Sequence, residues 1–449
     1  MRVAIIGGGL GGLATARTLL AAGIDAHVLE ASSRAGGVIG TSQIDGFTRE
    51  HAASSFLGGP SRGMLALCNE LGVAVEKASP RAKKRWIFLD GKLRALPSNP
   101  VDLVRSDLLT WRGKLDLLRE PLRPPGPKGQ DESVHDFAAR RLGAEAARAI
   151  VAPFVTGVYA ADAHDISLEA GFPKLASLAR NGGLVRGLAR QAARGAAGGL
   201  LRKIAGKHKS KATPRGMYTA RGGLGAVVEA LAAELGARVR YGALVDRIEP
   251  TSKGLTIDGE HWDGAVIAIP AQDATSLVPV PELAKRLAVF HRAPAALVYL
   301  GFPIDAVPRA ADGFGALVAL GEDVRVLGVV FESVVWENRA PQGHVLLRCI
   351  FGGGRDPSVT QLDDAALIAQ AIRDVGIVLG ATGTPSHTSV VRWQRGVAQY
   401  ALGHRDRVRA AVTAARTHKI ALAGADYYGP GVNDLCIDTA RILDEVRAW

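Results

Sequence analysis

Apolar and polar positions recur along this chain with two periods, and each change of period marks a new element. Residues 3–6 form a short apolar run that stops at glycines, which is the pattern of a strand buried on both faces of a parallel sheet. Leu- and Ala-rich text follows at once and reads as a helix, and a second apolar run, AHVLE, ends at Glu30. Strand, helix and strand in this order predict a βαβ unit. Residues 60–76 read as a helix leading into a strand, and 85–97 as a hairpin turning at Asp90-Gly91. From 98 to 200 the text is mainly helical, with one proline-rich joint, EPLRPPGPKG.

The α/β pattern restarts near residue 216. A loop with Gly222, Gly223 and Gly225 precedes a predicted helix over 226–235 and strands over 237–248, with Val245 on the last strand. Another buried strand is expected over 263–271. Alternation through 290–352 predicts an antiparallel sheet, and a last strand near 420 precedes a helix over 436–449. No repeat of fixed period is present. The expected class is α/β, α+β overall. A Rossmann-like dinucleotide domain would be built from 1–80, 216–272 and 392–449, a mixed-sheet substrate domain from 81–97 and 273–391, and an inserted helical domain from 98–215.

Composition narrows the class. The 449 residues exceed one ordinary core, and 47% hydrophobic with 22% charged residues describes a globular chain. Cys68, Cys349 and Cys436 are far apart with no C-x-x-C, which argues against a disulfide framework or a structural zinc and fits a reducing cytoplasm. Removing a leader would destroy the first strand and its glycines, and no uncharged apolar run reaches about 18 residues, so neither a signal peptide nor a membrane span is expected.

Net charge is +12, and the basic residues gather in 186–215, a stretch without acids. It lacks interleaved aromatics, so nucleic acid is not the expected partner. A solvated linker and a basic surface resting on anionic lipid are the two readings left. Neither G-x-S-x-G nor H-E-x-x-H occurs, and no ligand cluster suggests a metal.

The chemistry sits at the first strand's end. Gly7, Gly9 and Gly12 have the G-x-G-x-x-G spacing: the first permits a tight turn, the second lets backbone approach a pyrophosphate, and the third packs helix on strand. The phosphates would lie on the helix N-terminus. Glu30 suits ribose hydroxyls and disfavours a 2′-phosphate. Arg34 can neutralise phosphate charge, and Gly36 and Gly37 admit a long ligand. This Glu-x-x-x-Arg-x-Gly-Gly resembles the second fingerprint of the flavin amine oxidase superfamily, which points to FAD.

Five further stretches, in order, resemble the oxygen-dependent protoporphyrinogen oxidase family with its coproporphyrinogen-oxidising branch: FVTGVYAADAHDISLEAGFPKL from residue 154, DGFGALV from 312, FGGGRDP from 351, RWQRGVAQYALGH from 392 and GPGVNDLCIDTA from 429. The resemblance implies a flavoenzyme that removes six electrons from a porphyrinogen, with O2 as acceptor, in haem biosynthesis. It implies flavin contacts at Gly7, Gly8, Gly9, Gly11, Gly12, Glu30, Ala31, Arg34, Gly37, Val38, Ser54, Ser55, Val245, Trp393, Gly424, Pro430, Gly431 and Val432. Substrate contacts would be Arg85, gripping a carboxylate, Gly157 near the reacting carbon, and Phe314, Gly315, Leu317 and Ile350 as pocket wall. No residue is expected to act as general acid or base, and His51 and His404 read as structural.

The chain departs from the family pattern at Ala52-Ala53, where Gly-Pro is usual, at Ala398 in place of proline, at Pro430, and at an apparent insertion of Leu435. Two alternatives stay open: an oxidase acting on another reduced heterocycle or an amine, and an escort protein without turnover. The expected setting is cytoplasmic, peripheral to the inner face of the membrane, with a homodimer left open.

Overall fold

The computed structural model describes residues 1–59, 63–124, 126, 129–180, 183–184, 186–187, 190, 215–308 and 312–449. The N-terminal unit is strand β1 (Arg2–Ile6), helix α1 (Leu10–Ala21) and strand β2 (Asp25–Glu30). β1 is the middle of a five-stranded, wholly parallel sheet in the order Val239–Tyr241, β2, β1, Gly264–Ile267 and Ile420–Leu422. Val3, Ala4 and Ile5 have no exposed surface, because the sheet is covered on both faces. One face packs α1 and the helices Gly225–Leu235 and Val432–Arg447. The other packs 271–290 and the helix His404–Arg416.

The second sheet has seven strands, in the order His387–Ala398, Arg292–Pro303, His344–Gly352, Gly328–Phe331, Gly315–Val318, Trp86–Leu89 and Lys92–Ala95. All neighbours are antiparallel except Gly315–Val318 beside Trp86–Leu89. The hairpin over 85–97 turns where expected, with Asp90 (φ 50°) and Gly91 (φ 66°) both left-handed. One face is sealed by the helix Asp364–Leu379. The other face looks toward the dinucleotide unit.

The structure corrects four expectations. The boundary at 392 cuts His387–Ala398, one strand that pairs with Arg292–Pro303 along its length. Residues 273–290, expected in the substrate domain, belong with the parallel sheet, where Leu283, Leu287 and Phe290 pack with Val408 and Val412. Val245 is on no strand: Gly242 (φ 64°) turns the chain, Ala243 N donates to Glu30 O at 2.9 Å, and 243–247 is irregular. The last helix begins at Val432 rather than 436, because Gly431 caps it and its N–H donates to the Asp434 carboxylate at 3.2 Å.

The inserted segment is helical where described. Helix Ala152–Tyr159 ends at Ala160 (φ 49°), whose carbonyl accepts from Gly354 N at 2.7 Å. Most of the basic stretch 186–215 lies outside the described residues.

Candidate functional site

The first half of the site is the turn from β1 into α1. Gly7 has φ 105°, and a Cβ on Gly12 would lie 2.0 Å from Gly7 O, so both must be glycine for the helix to close on the strand. Gly9 differs: a Cβ there would meet nothing within 4 Å. The gap lies at the N-cap of α1, whose first turn carries no acid. Its first N–H groups lack intrahelical partners, so the gap is an anion cradle. Gly8 and Glu30 form its next wall, with Gly8 N donating to Glu30 Oε2 at 2.6 Å and Ser32 N to Oε1 at 2.8 Å.

The loop after β2 closes over the turn. Gly36 N donates to Gly8 O at 2.7 Å, and a Cβ on Gly37 would stand 3.3 Å from Gly9 Cα. Arg34 holds this loop itself, donating to the carbonyls of Ala35, Gly37 and Ile39 at 3.2, 2.8 and 3.2 Å. Ala31 is exposed and Val38 half-buried at the same rim. Val245 is buried beside Leu29 and Ile6. Gly11 meets the far end of the chain, since a Cβ there would be 3.9 Å from Gly424 Cα and 3.7 Å from Leu435. Gly424 (φ 118°) itself opens onto empty space. Pro430, Gly431 and Val432 then start the last helix, with Val432 packed beside Leu10 and Phe56. These residues fit a dinucleotide: open space, free helix N–H groups and one ribose-type carboxylate converge.

Residues 50–55 cross from this cradle to the seven-stranded sheet. Trp393 Nε1 donates to His51 O at 2.7 Å, Ser54 is buried, and Ser55 is half-buried. On the sheet face, register aligns Leu317, Gly328, Ile350, Leu297 and Val391 in one apolar row across five strands. Phe314 and Ile350 pack with Val330 and Trp336 beside it. A Cβ on Gly315 would strike Val329 O at 2.2 Å, which keeps the wall thin. Gly157 faces the row, with its missing Cβ 2.6 Å from Leu317 Cδ2. The Arg85 guanidinium lies over the Phe314 ring at 5.5 Å and has no carboxylate partner among the described residues, whereas its neighbour Lys84 binds Asp312 at 2.6 Å.

Sequence reasoning missed Gly328, Leu297 and Val391, and with them Tyr299 and Arg348 on the same face. A glycine inside a β-branched strand and an arginine inside VLLRCIF were the available signals. Two histidines near the site, His404 and His51, are held below the ordinary imidazole range. His404 is buried against Tyr400, ring centroids 4.0 Å apart, and burial drives its pKa down to about 4. Burial, then Arg34 and Arg49, lower that of His51, whose Nε2 lies 3.1 Å from Ser42 Oγ. No metal-type cluster occurs among the described residues.

Fold and site together define a flavin-dependent oxidoreductase. The chain belongs to the family of flavin containing amine oxidoreductases, whose pattern matches residues 10–442, and within it to the protoporphyrinogen and coproporphyrinogen oxidase branch. It is 31% identical to the chloroplastic protoporphyrinogen oxidase of Oryza sativa subsp. japonica, covering 91% of this chain and 81% of that one. It is 30% identical to the coproporphyrinogen III oxidase of Propionibacterium freudenreichii subsp. freudenreichii, covering 98% and 90%. Among solved structures, an Exiguobacterium protein provisionally named a protoporphyrinogen oxidase superposes over 100% of this chain and 98% of its own, with TM-score 0.83 and 22% identity. Putrescine oxidase bound to putrescine shares the fold at TM-score 0.71 and 17% identity, over 100% and 99%.

Proposed function

We propose that the chain is an FAD-dependent oxidase that converts a porphyrinogen to the porphyrin in haem biosynthesis. The observation that carries this reading is the apolar row Leu317, Gly328, Ile350, Leu297 and Val391, with Arg85 at its edge and the cofactor cradle across the 50–55 loop. A porphyrinogen is a broad apolar disc with carboxylate arms, and such a wall with Arg85 at its rim suits it. Glycines at 157, 315 and 328 keep the wall flat, so the disc can lie close to the cofactor.

FAD held at the cradle would supply the two-electron acceptor for this chemistry, with O2 as the final acceptor. The protein's own contribution is orientation and exclusion of water. Arg85 pairs with a carboxylate arm, and Phe314 supports the guanidinium from beneath. Gly9, the α1 N-terminus and Glu30 would hold the dinucleotide. An amine oxidase would need paired aromatic rings around the amine, but Tyr427 is buried against Phe290 and Tyr428 has the Arg441 guanidinium 4.0 Å over its ring.

The same reading includes docking on an anionic bilayer. Val101, Val104, Trp111, Leu115, Leu118 and Leu122 are exposed apolar residues of the helical segment, with Arg105, Arg112 and Arg119 exposed among them beside Asp102 and Asp107, the latter paired with Arg94. No helix among the described residues is long and apolar enough to cross a membrane. Apolar side chains with interspersed cations match a surface attachment.

The test is aerobic turnover. The purified protein, with its cofactor extracted and identified, should develop porphyrin fluorescence from protoporphyrinogen or coproporphyrinogen and release one H2O2 per electron pair. An FAD-loaded protein that turns over neither would refute the substrate. Vesicles with anionic lipid should retain the protein and neutral ones should not. Equal retention would refute the docking surface.

A further inference from the structure

Three consecutive carbonyls of the loop between cradle and sheet are taken by side chains from three neighbouring strands. Tyr299 Oη donates to Glu50 O at 2.6 Å and accepts from Glu50 N at 3.2 Å. Trp393 Nε1 donates to His51 O at 2.7 Å. Arg348 Nη1 donates to Ala52 O at 3.0 Å. Tyr299 and Arg348 are register partners on adjacent strands, and Trp393 comes from the strand on the other side of Tyr299.

The grip is anchored in turn. Arg348 Nε stands 3.0 Å from Glu332 Oε1, and Arg339 Nη1 stands 3.0 Å from Glu50 Oε1; the four charged side chains are 1–9% exposed. The Glu50 carboxylate also accepts from Thr41 Oγ1 at 2.6 Å and Leu224 N at 3.1 Å, which ties the loop to the dinucleotide unit. Buried charges taken from water have to be matched this closely to persist. Ala52 and Ala53 carry no φ constraint of the kind proline supplies, so the path of the loop rests on these bonds.

We propose that Tyr299 and Arg348 are positioning residues: they fix the 50–55 backbone, the segment that joins the cradle to the apolar row and against which a flavin held at the cradle would rest. The proposal rests on the flavin reading above. It assigns a role to a buried ionic group that lies outside the glycine cradle and the apolar row. Holding the reacting partners in register is where such a device acts on rate.

The test uses the full-length protein in two variants: Tyr299→Phe, which removes only the hydroxyl, and Arg348→Met with Glu332→Gln, which removes both buried charges together. Hydrogen exchange over 50–57 is measured in flavin-free protein. Flavin release rate, the fine structure of the flavin absorption band and the KM-against-kcat split are measured in holoprotein. Expected in both variants are a circular dichroism spectrum like the parent's, faster exchange confined to 50–57 and flavin release accelerated about tenfold, the scale of one or two lost hydrogen bonds. The flavin band should shift and kcat fall at constant KM.

Unchanged exchange and release in folded Tyr299→Phe protein would overturn the proposal. If the parent protein binds no flavin, the functional reading fails, and faster or unchanged exchange at 50–57 still decides whether the clamp exists.

Discussion

Replacing Gly157 separates substrate access from stability. The missing Cβ would lie 2.6 Å from Leu317 Cδ2. Carbon atoms rest at about 3.5–4.0 Å, so about 1 Å must be recovered. The obstacle is the end of a half-buried side chain, so Leu317 rotates and the strand stays in place. An off-rotamer leucine costs about 0.5–1.5 kcal/mol. Alanine inside the helix Ala152–Tyr159 returns about 1 kcal/mol relative to glycine. Stability is therefore expected to stay within about 1 kcal/mol of the parent for Gly157→Ala.

Activity should not be spared. On the proposed reading, the new methyl and the displaced Leu317 both occupy the face that receives the disc, and a misplacement of about 1 Å costs on the order of a hundredfold in rate. Gly157→Val, with two more carbons, should be lower still. The assay is kcat/KM for porphyrinogen beside a thermal melt and the flavin content of each variant. Parent-like kinetics in folded, flavin-loaded Gly157→Val would refute the assignment of this face to the substrate.

Three other predictions follow from the same geometry. Arg85→Ala should raise KM for a carboxylate-bearing porphyrinogen about ten- to a hundredfold with flavin content unchanged, as loss of a charge-assisted hydrogen bond does; an unchanged KM removes Arg85 from the site. Gly9→Val should leave the flavin-free melt near the parent's while abolishing flavin uptake, since its side chain enters the open cradle, whereas Gly12→Val should not fold, since its Cβ lies 2.0 Å from a carbonyl; similar behaviour of the two would contradict the cradle. His404, buried and neutral, has a pKa of about 4 against 6.5 when unfolded. The unfolded chain therefore takes up the proton first, and stability should fall as pH drops from 6.5 to 4, by up to about 3 kcal/mol. His404→Phe should flatten that slope in denaturation measured across this range.

What could be read from the sequence was local. Gly7, Gly9, Gly12 and Glu30 sit within one βαβ unit, where spacing alone dictates their geometry, and the Asp90-Gly91 turn requires two left-handed residues in succession. Val245 was misplaced because the bend at Gly242 is stabilised by Glu30 O, far away in sequence. The boundary at 392 failed for a similar reason: Trp393 resembles a cofactor contact and points to one unit, while its backbone pairs with Ala295 in the other. Gly328, Leu297 and Val391 join Leu317 and Ile350 only through strand register, which one residue of slip would undo. Tyr299 and Arg348 gain their meaning from the carbonyls of Glu50 and Ala52, and no pattern along their own strands points to those partners.

The most direct test of the account is anaerobic mixing of the purified protein with protoporphyrinogen and coproporphyrinogen in turn, followed at the visible flavin band. The account predicts bleaching at a rate matching turnover, and recovery with porphyrin fluorescence when air is admitted. A yellow protein that neither porphyrinogen bleaches would contradict it.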